Sequence, residues 1–140
     1  MAFTGNFSCN VFKTGLMNGT FNFTSGTFYI ALYTNAATLN EATTAYTSTG
    51  EVVASGYTAG GLALTIAQTP TVGTGSTAYI SFNNAVWTSA LTARGALIYQ
   101  SGGGTPAVCV LDFGADKTST TTFTVQFPAV SNTSAIIRIA

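Results

Sequence analysis

The stretch Thr27-Phe-Tyr-Ile-Ala-Leu-Tyr-Thr34 shows the pattern that recurs along most of the chain. Successive side chains of a strand point to opposite sides, so Phe28, Ile30 and Leu32 share one face and Tyr29, Ala31 and Tyr33 the other. Apolar bulk on both faces predicts a central strand. The same alternation returns in Leu62-Ala-Leu-Thr-Ile-Ala-Gln68, with Leu62, Leu64 and Ile66 inward. It returns again in Thr122-Phe-Thr-Val-Gln-Phe127, with Phe123, Val125 and Phe127 inward. Tyr79–Phe82, Ala85–Trp87, Arg94–Tyr99, Ala107–Phe113 and Ala135–Ala140 read as further short strands, and Glu51–Ala54 as a short edge strand. Turn chemistry separates them: Asn83-Asn84, Gly102-Gly103-Gly104, and the Gly/Thr loop from Pro70 to Ser76. Asn35–Tyr57 is a long polar excursion that holds both glutamates, Glu41 and Glu51, with a short helical turn near Leu39.

Ahead of the first strand the period changes. Asn10–Gly19 predicts a short helix with Asn10 as its N-cap and Gly19 as its stop. Val11, Phe12, Leu16 and Met17 would form its apolar stripe, and Gly15 works against it. Eight or so short strands follow, with no βαβ alternation, internal repeat or linker. This predicts one all-β domain over residues 1–140, an antiparallel β-sandwich of immunoglobulin-like or jelly-roll type. Residues 1–23 form its N-terminal arm or short helix and 24–140 its body. The expected core holds Phe28 or Tyr29, Leu64, Ile98, Val110, Phe123, Val125 and Phe127.

Composition sharpens this picture at one point. Hydrophobic residues make up 46% of the chain, an ordinary share, but charged residues only 6%, against about 25% in typical soluble domains. No apolar run approaches the ~18 residues that would span a bilayer, and the wealth of Phe, Tyr, Ile, Val and Leu is not that of a disordered chain. Four acidic and four basic residues give a net charge of zero. That excludes the clustered Lys and Arg of a nucleic-acid footprint and of an electrostatic membrane-surface binder. A neutral surface offers little colloidal repulsion and suits a protein that works packed against others. The N-terminus lacks the basic and apolar regions of a signal peptide. Synthesis in a reducing cytosol is therefore expected, with Cys9 and Cys109 as free thiols and Cys109 buried on a strand. The sequons at Asn6, Asn18, Asn22 and Asn132 are then by-products of Asn and Thr abundance.

The inventory of reactive side chains points away from catalysis. Without His there is no Ser-His-Asp or Cys-His arrangement and no histidine-ligated metal, and two cysteines cannot fill a four-cysteine site. The four acids show no pairing suited to glycosidase-type chemistry. Asp112-Phe-Gly114 spells a kinase tripeptide without the rest of the kinase signature. Asp112 and Asp116 lack the surrounding pattern of a calcium loop, and are expected at a strand end and in a solvated turn. Gly102–Gly104 lacks the Lys-Ser/Thr of a phosphate cradle. Trp87, Arg94 and Tyr99 are candidates for a carbohydrate platform, with Trp87 alternatively capping the core. Arg94 and Arg138, in or beside apolar strands, are expected to pair with an acid or carbonyl or to lie at a subunit interface. Neither a catalytic residue, a metal nor a cofactor is expected.

Several segments resemble small virion structural proteins of tailed bacteriophages. They are Phe12-Lys-Thr14, Leu16-Met-Asn-Gly19, Phe28–Thr34, Ala36-Ala-Thr-Leu39, Thr43-Thr-Ala-Tyr46, Gly50-Glu-Val52 and Gly56-Tyr-Thr-Ala-Gly-Gly61. The series continues with Ala93–Tyr99, Val110-Leu-Asp-Phe-Gly114, Phe127-Pro128 and Ala135-Ile-Ile-Arg138. Gly15 departs from the acidic residue common at that point of the helix. The resemblance runs along nearly the whole chain and consists of turn and core signatures. It implies a capsid decoration (cement) protein of the virion, made in the bacterial cytoplasm and bound to the major capsid protein or other virion proteins. It also implies a homo-oligomer, a trimer by preference. A neck, tail or fibre component, and a host-surface glycan-binding module, are the competing expectations. The expected protein interface comprises Phe3, Phe7 and Phe12 of the N-terminal arm, reaching a neighbouring subunit rather than folding back as an edge strand, with Arg94 and Arg138.

Overall fold

The computed structural model describes residues 3–140; Met1 and Ala2 of the arm lie outside the described residues. In chain order the elements are β1 (Phe7–Ser8), α1 (Asn10–Asn18), β2 (Phe28–Tyr33), β3 (Leu62–Leu64) and β4 (Ile66–Val72). They continue with β5 (Ala78–Phe82), β6 (Ala85–Trp87), β7 (Thr92–Gln100), β8 (Ala107–Thr118), β9 (Phe123–Val125) and β10 (Ile137–Ile139). All pairings are antiparallel. A five-stranded sheet has the order β1-β8-β7-β2-β3, a three-stranded sheet β10-β5-β4, and β6 pairs with β9. This is the expected antiparallel sandwich, with strands divided five, three and two rather than in the four-and-three of an immunoglobulin domain.

β2 is central, as its pattern requires. Phe28, Ile30 and Leu32 turn toward the second layer, where Phe28 meets Phe82 of β5 at 6.0 Å. Phenylalanine rings run through this core from Phe21 to Phe12 (5.1 Å), Phe23 (5.9 Å), Phe28 (4.4 Å, stacked), Phe82 and Phe127 (5.8 Å). Edge-to-face and offset contacts of this kind add to the area that each ring buries. The opposite face of β2 and β7, carrying Tyr29, Ala31, Tyr33, Leu97 and Tyr99, is covered by the 35–61 excursion. Leu64, Ile98, Val110, Phe123, Val125 and Phe127 are buried as expected, and of the pair Phe28/Tyr29 it is Phe28.

Several elements differ from expectation for local reasons. The run Leu62–Gln68 is two strands. Thr65 is the joint at which the chain leaves the first sheet as β3 and enters the second as β4, closing one side of the sandwich. β4 then continues through Pro70 to Val72, on an edge where a missing N–H costs no ladder bond. Glu51–Ala54 contributes one isolated bridge, Tyr33 to Glu51. Asp112 does not end a strand: β8 runs on to Thr118 past a bulge, with Gly114 at φ +81°. The helix exists and stops at Gly19 (φ 81°), but its N-cap is Cys9 and its stripe is displaced. Phe12 and Gly15 are buried, whereas Leu16 and Met17 are exposed. Gly15 is the floor on which Phe21 lies, since a Cβ there would fall 2.4 Å from its ring.

Candidate functional site

The arm residues expected to reach a neighbour are placed within the chain's own structure. Phe3 is 2% exposed and sits over Gly95, where a Cβ would meet its ring at 2.5 Å. Arg94 covers the same ring at 5.8 Å from its centroid, a cation–π contact. Phe7 lies in β1, paired with Val110, and is half-buried. Phe12 is in the aromatic core. The arm therefore folds back as an edge strand, because Gly95 leaves a socket and the β8 edge offers free backbone groups. Asn6 Oδ1 secures it by accepting the Asp112 N–H at 2.6 Å.

Arg94 forms an ion pair with Asp112, the only one among the described residues. Asp112 Oδ1 also accepts the Gly114 N–H (2.8 Å), so the acid organises the β8 bulge. Among the described residues no three His, Cys, Asp or Glu groups are placed to hold a metal ion. Arg138 is exposed on β10, far along the chain from Arg94 and in the other sheet. Trp87 (3% exposed) and Tyr99 (5%) belong to the core, so they present no stacking platform to a sugar. Trp87 instead packs on Tyr57 and Phe123.

Sequence reasoning missed the most organised polar cluster. Glu51, placed in the polar excursion, is 7% exposed. Its Oε2 accepts the Tyr46 hydroxyl (2.6 Å), and its Oε1 accepts the Tyr57 hydroxyl (2.7 Å) and the Gly60 N–H (2.7 Å). The Tyr57 oxygen in turn accepts the Leu32 N–H of β2 (2.8 Å), the Tyr99 hydroxyl donates to Gly60 C=O (2.6 Å), and the Tyr33 hydroxyl donates to Thr47 C=O (2.7 Å). Tyr29, Tyr99 and Tyr46 stack in a column at 5.8 and 5.0 Å. Burial first, then the hydrogen bond to and charge of Glu51, push the Tyr46 hydroxyl up to about 12. Burial, with Glu51 second, pushes Tyr99 up to about 12. Tyr33 and Tyr57 are raised further, chiefly by burial. This cluster fastens the excursion to the sheet. Glu51 and its three donors, Tyr46, Tyr57 and Gly60, all belong to the irregular excursion, whereas Tyr33 and Tyr99 belong to β2 and β7.

Cys9 and Cys109 are buried free thiols, and the Cys9 N–H donates to Val108 C=O at 3.0 Å. Burial raises Cys9 to about 11 and Cys109 to about 12, which leaves both protonated at neutral pH.

What remains for recognition is surface. Val72, Ala78 and Ile139 form one row across the three-stranded sheet, on the face that carries Ile80 and Phe82. This face runs past the core. Val72 and Ile139 are 66% and 54% exposed, and Ile139 shares a groove of about 230 Å³ with Leu16 of α1, Phe21, Phe23 and Pro70. No described helix is long and apolar enough to cross a membrane. Compared with family models, curated proteins and solved structures, the chain matches none.

Proposed function

We propose that the protein is a structural component of a tailed-bacteriophage particle, a decoration protein that binds the outside of the capsid lattice as a homo-oligomer, preferentially a trimer. The observation that carries this reading is the exposed apolar flank at Leu16, Val72 and Ile139, on a surface nearly devoid of charge. Exposed apolar area of this kind is a site of association with protein, and a lattice multiplies weak contacts by avidity. The phage context rests on the resemblance of the turn and core segments. Phe3 and Phe12 are no part of the contact, since both are buried in their own chain.

The test is to mix the purified protein with phage heads that lack it and, separately, with isolated tails, and to follow cosedimentation and the temperature at which heads release DNA. Binding to heads with a raised release temperature is expected. Binding to tails alone would replace the decoration role by a tail or neck role, and binding to neither would remove the virion reading.

A further inference from the structure

The sandwich is closed on one side, where β3 passes into β4, and open on the other. There the five-stranded sheet ends on β1 and the three-stranded sheet on β10. Between them lies a groove of about 520 Å³, bordered by Ser8, Phe12, Cys109 and Ile137. A second hollow of about 260 Å³ shares Ser8, Cys109 and Ile136 with it, so the seam runs the length of β1. β10 pairs only with β5. Among the described residues the backbone of 136–140 makes no other backbone hydrogen bond, which leaves the outer edge of β10 unpaired. Such an edge is a template for another strand.

The charges along the seam select the strand. Lys13 and Arg138, half of the chain's basic residues, both line it. No acidic side chain does, and among the described residues neither cation has an ion-pair partner. A second copy is a poor occupant. Antiparallel pairing of β10 with its twin, centred on Arg138, would set like charges opposite each other, which is destabilising. Nor does the chain hold a free strand with a suitable acid: Glu51 is buried, Asp112 is paired, Asp116 lies within β8, and Glu41 lies in a turn, outside any strand, where its carbonyl accepts the Asn10 N–H. We infer that the β1–β10 seam receives an extended segment of a different protein, apolar at alternate positions and bearing a carboxylate that meets Lys13 and Arg138. The apolar side chains enter the groove beside Phe12 and Ile137, and the backbone completes the β10 ladder, which is recognition by strand addition.

The probe is a short capped peptide of alternating valine and threonine with a central glutamate. It is compared with versions carrying lysine in place of the glutamate, or proline beside it, on the intact protein. Hydrogen exchange at Ile137–Ile139 and fluorescence anisotropy report the outcome. The glutamate peptide should slow exchange there and bind about tenfold more tightly than the lysine peptide. Arg138→Glu and Lys13→Glu, both at exposed positions, should invert that preference. Equal binding of the two charge versions, undiminished binding of the proline peptide, or no protection of β10 by any of them would overturn the inference. So would protection that rises with protein concentration alone, which would assign the seam to a second copy. The assay uses isolated protein, so its outcome and that of the head-binding experiment are independent.

Discussion

At the scale of the residue, Glu51 is the buried acid on which the irregular layer converges. Three donors converge on it at 2.6–2.7 Å, and one of them, the Tyr57 hydroxyl, also caps a backbone N–H of the central strand. A buried carboxylate is tolerable only when its lone pairs are satisfied, and the donors are as costly to orphan as the acid. Glu51→Ala is expected to lower unfolding stability by about 2–4 kcal/mol. Glu51→Gln should cost clearly less, because its amide oxygen still accepts from Tyr57 and Gly60 while its amide nitrogen can donate to Tyr46. Urea unfolding of the two variants measures this, and equal stability of Glu51→Ala and the parent would mean that the cluster carries no load. The cluster was only half legible in the sequence. Glu51 itself reads as one of the few charges in a long polar stretch. No strand or helix period relates Tyr46, Glu51, Tyr57 and Gly60, however, so their convergence depends on how an irregular chain crosses a sheet. The available signal was two tyrosines and a Gly-Gly pair in a stretch otherwise read as polar.

At the scale of the element, legibility followed period and burial. β2, β7, β8 and β9 are flanked by turns and buried on the faces that alternation assigns, so pattern and packing agree. The failures lie where a neighbouring element overrides the local pattern. Leu16 and Met17 belong to the stripe by spacing, yet the helix is rotated so that Gly15 lies under Phe21. The N-terminal phenylalanines suggested an outward anchor because their sockets, Gly95 for Phe3 and the Phe21–Phe23 pair for Phe12, are distant in sequence or unrecognisable as sockets. The helix gives a sharp test. In a solvent-facing helix Gly→Ala stabilises by about 1 kcal/mol. Gly15→Ala should instead destabilise, since overpacking costs about 1–3 kcal/mol and the added methyl would overlap the Phe21 ring. In a Phe21→Ala background the same substitution should regain its normal stabilising sign. A thermal-melt cycle over the four proteins reads the coupling; a stabilising Gly15→Ala in the parent would show that Phe21 does not hold the helix.

At the scale of the whole molecule, the two sheet faces are secured differently, and alkali separates them. The inter-sheet core is held by phenylalanine and aliphatic contacts that pH does not touch. The excursion is held by tyrosine hydroxyls whose ionisation folding opposes: Tyr46 and Tyr99 are raised to about 12, with Tyr33 and Tyr57 raised further. A folded-state value above the unfolded one means that the protonated form is favoured by folding. The stabilisation is therefore complete below the unfolded value of about 10 and is lost as pH climbs from there through about 12. Each hydroxyl that ionises next to Glu51 also removes a donor from a carboxylate. The loss should therefore be cooperative across Tyr46, Tyr57 and Gly60, and it should release the cover from one face of the five-stranded sheet. In an alkaline titration, the tyrosinate absorbance belonging to these four residues should rise together with the loss of near-ultraviolet circular dichroism between about pH 10 and 12. Tyr46→Phe removes one ionisable donor and should shift that transition. A smooth tyrosine titration centred near pH 10, with the aromatic dichroism intact, would refute the coupling between the cluster and the fold. A transition in that range for the parent, displaced in Tyr46→Phe, would identify the tyrosine–carboxylate cluster as what ties the irregular layer to the sandwich.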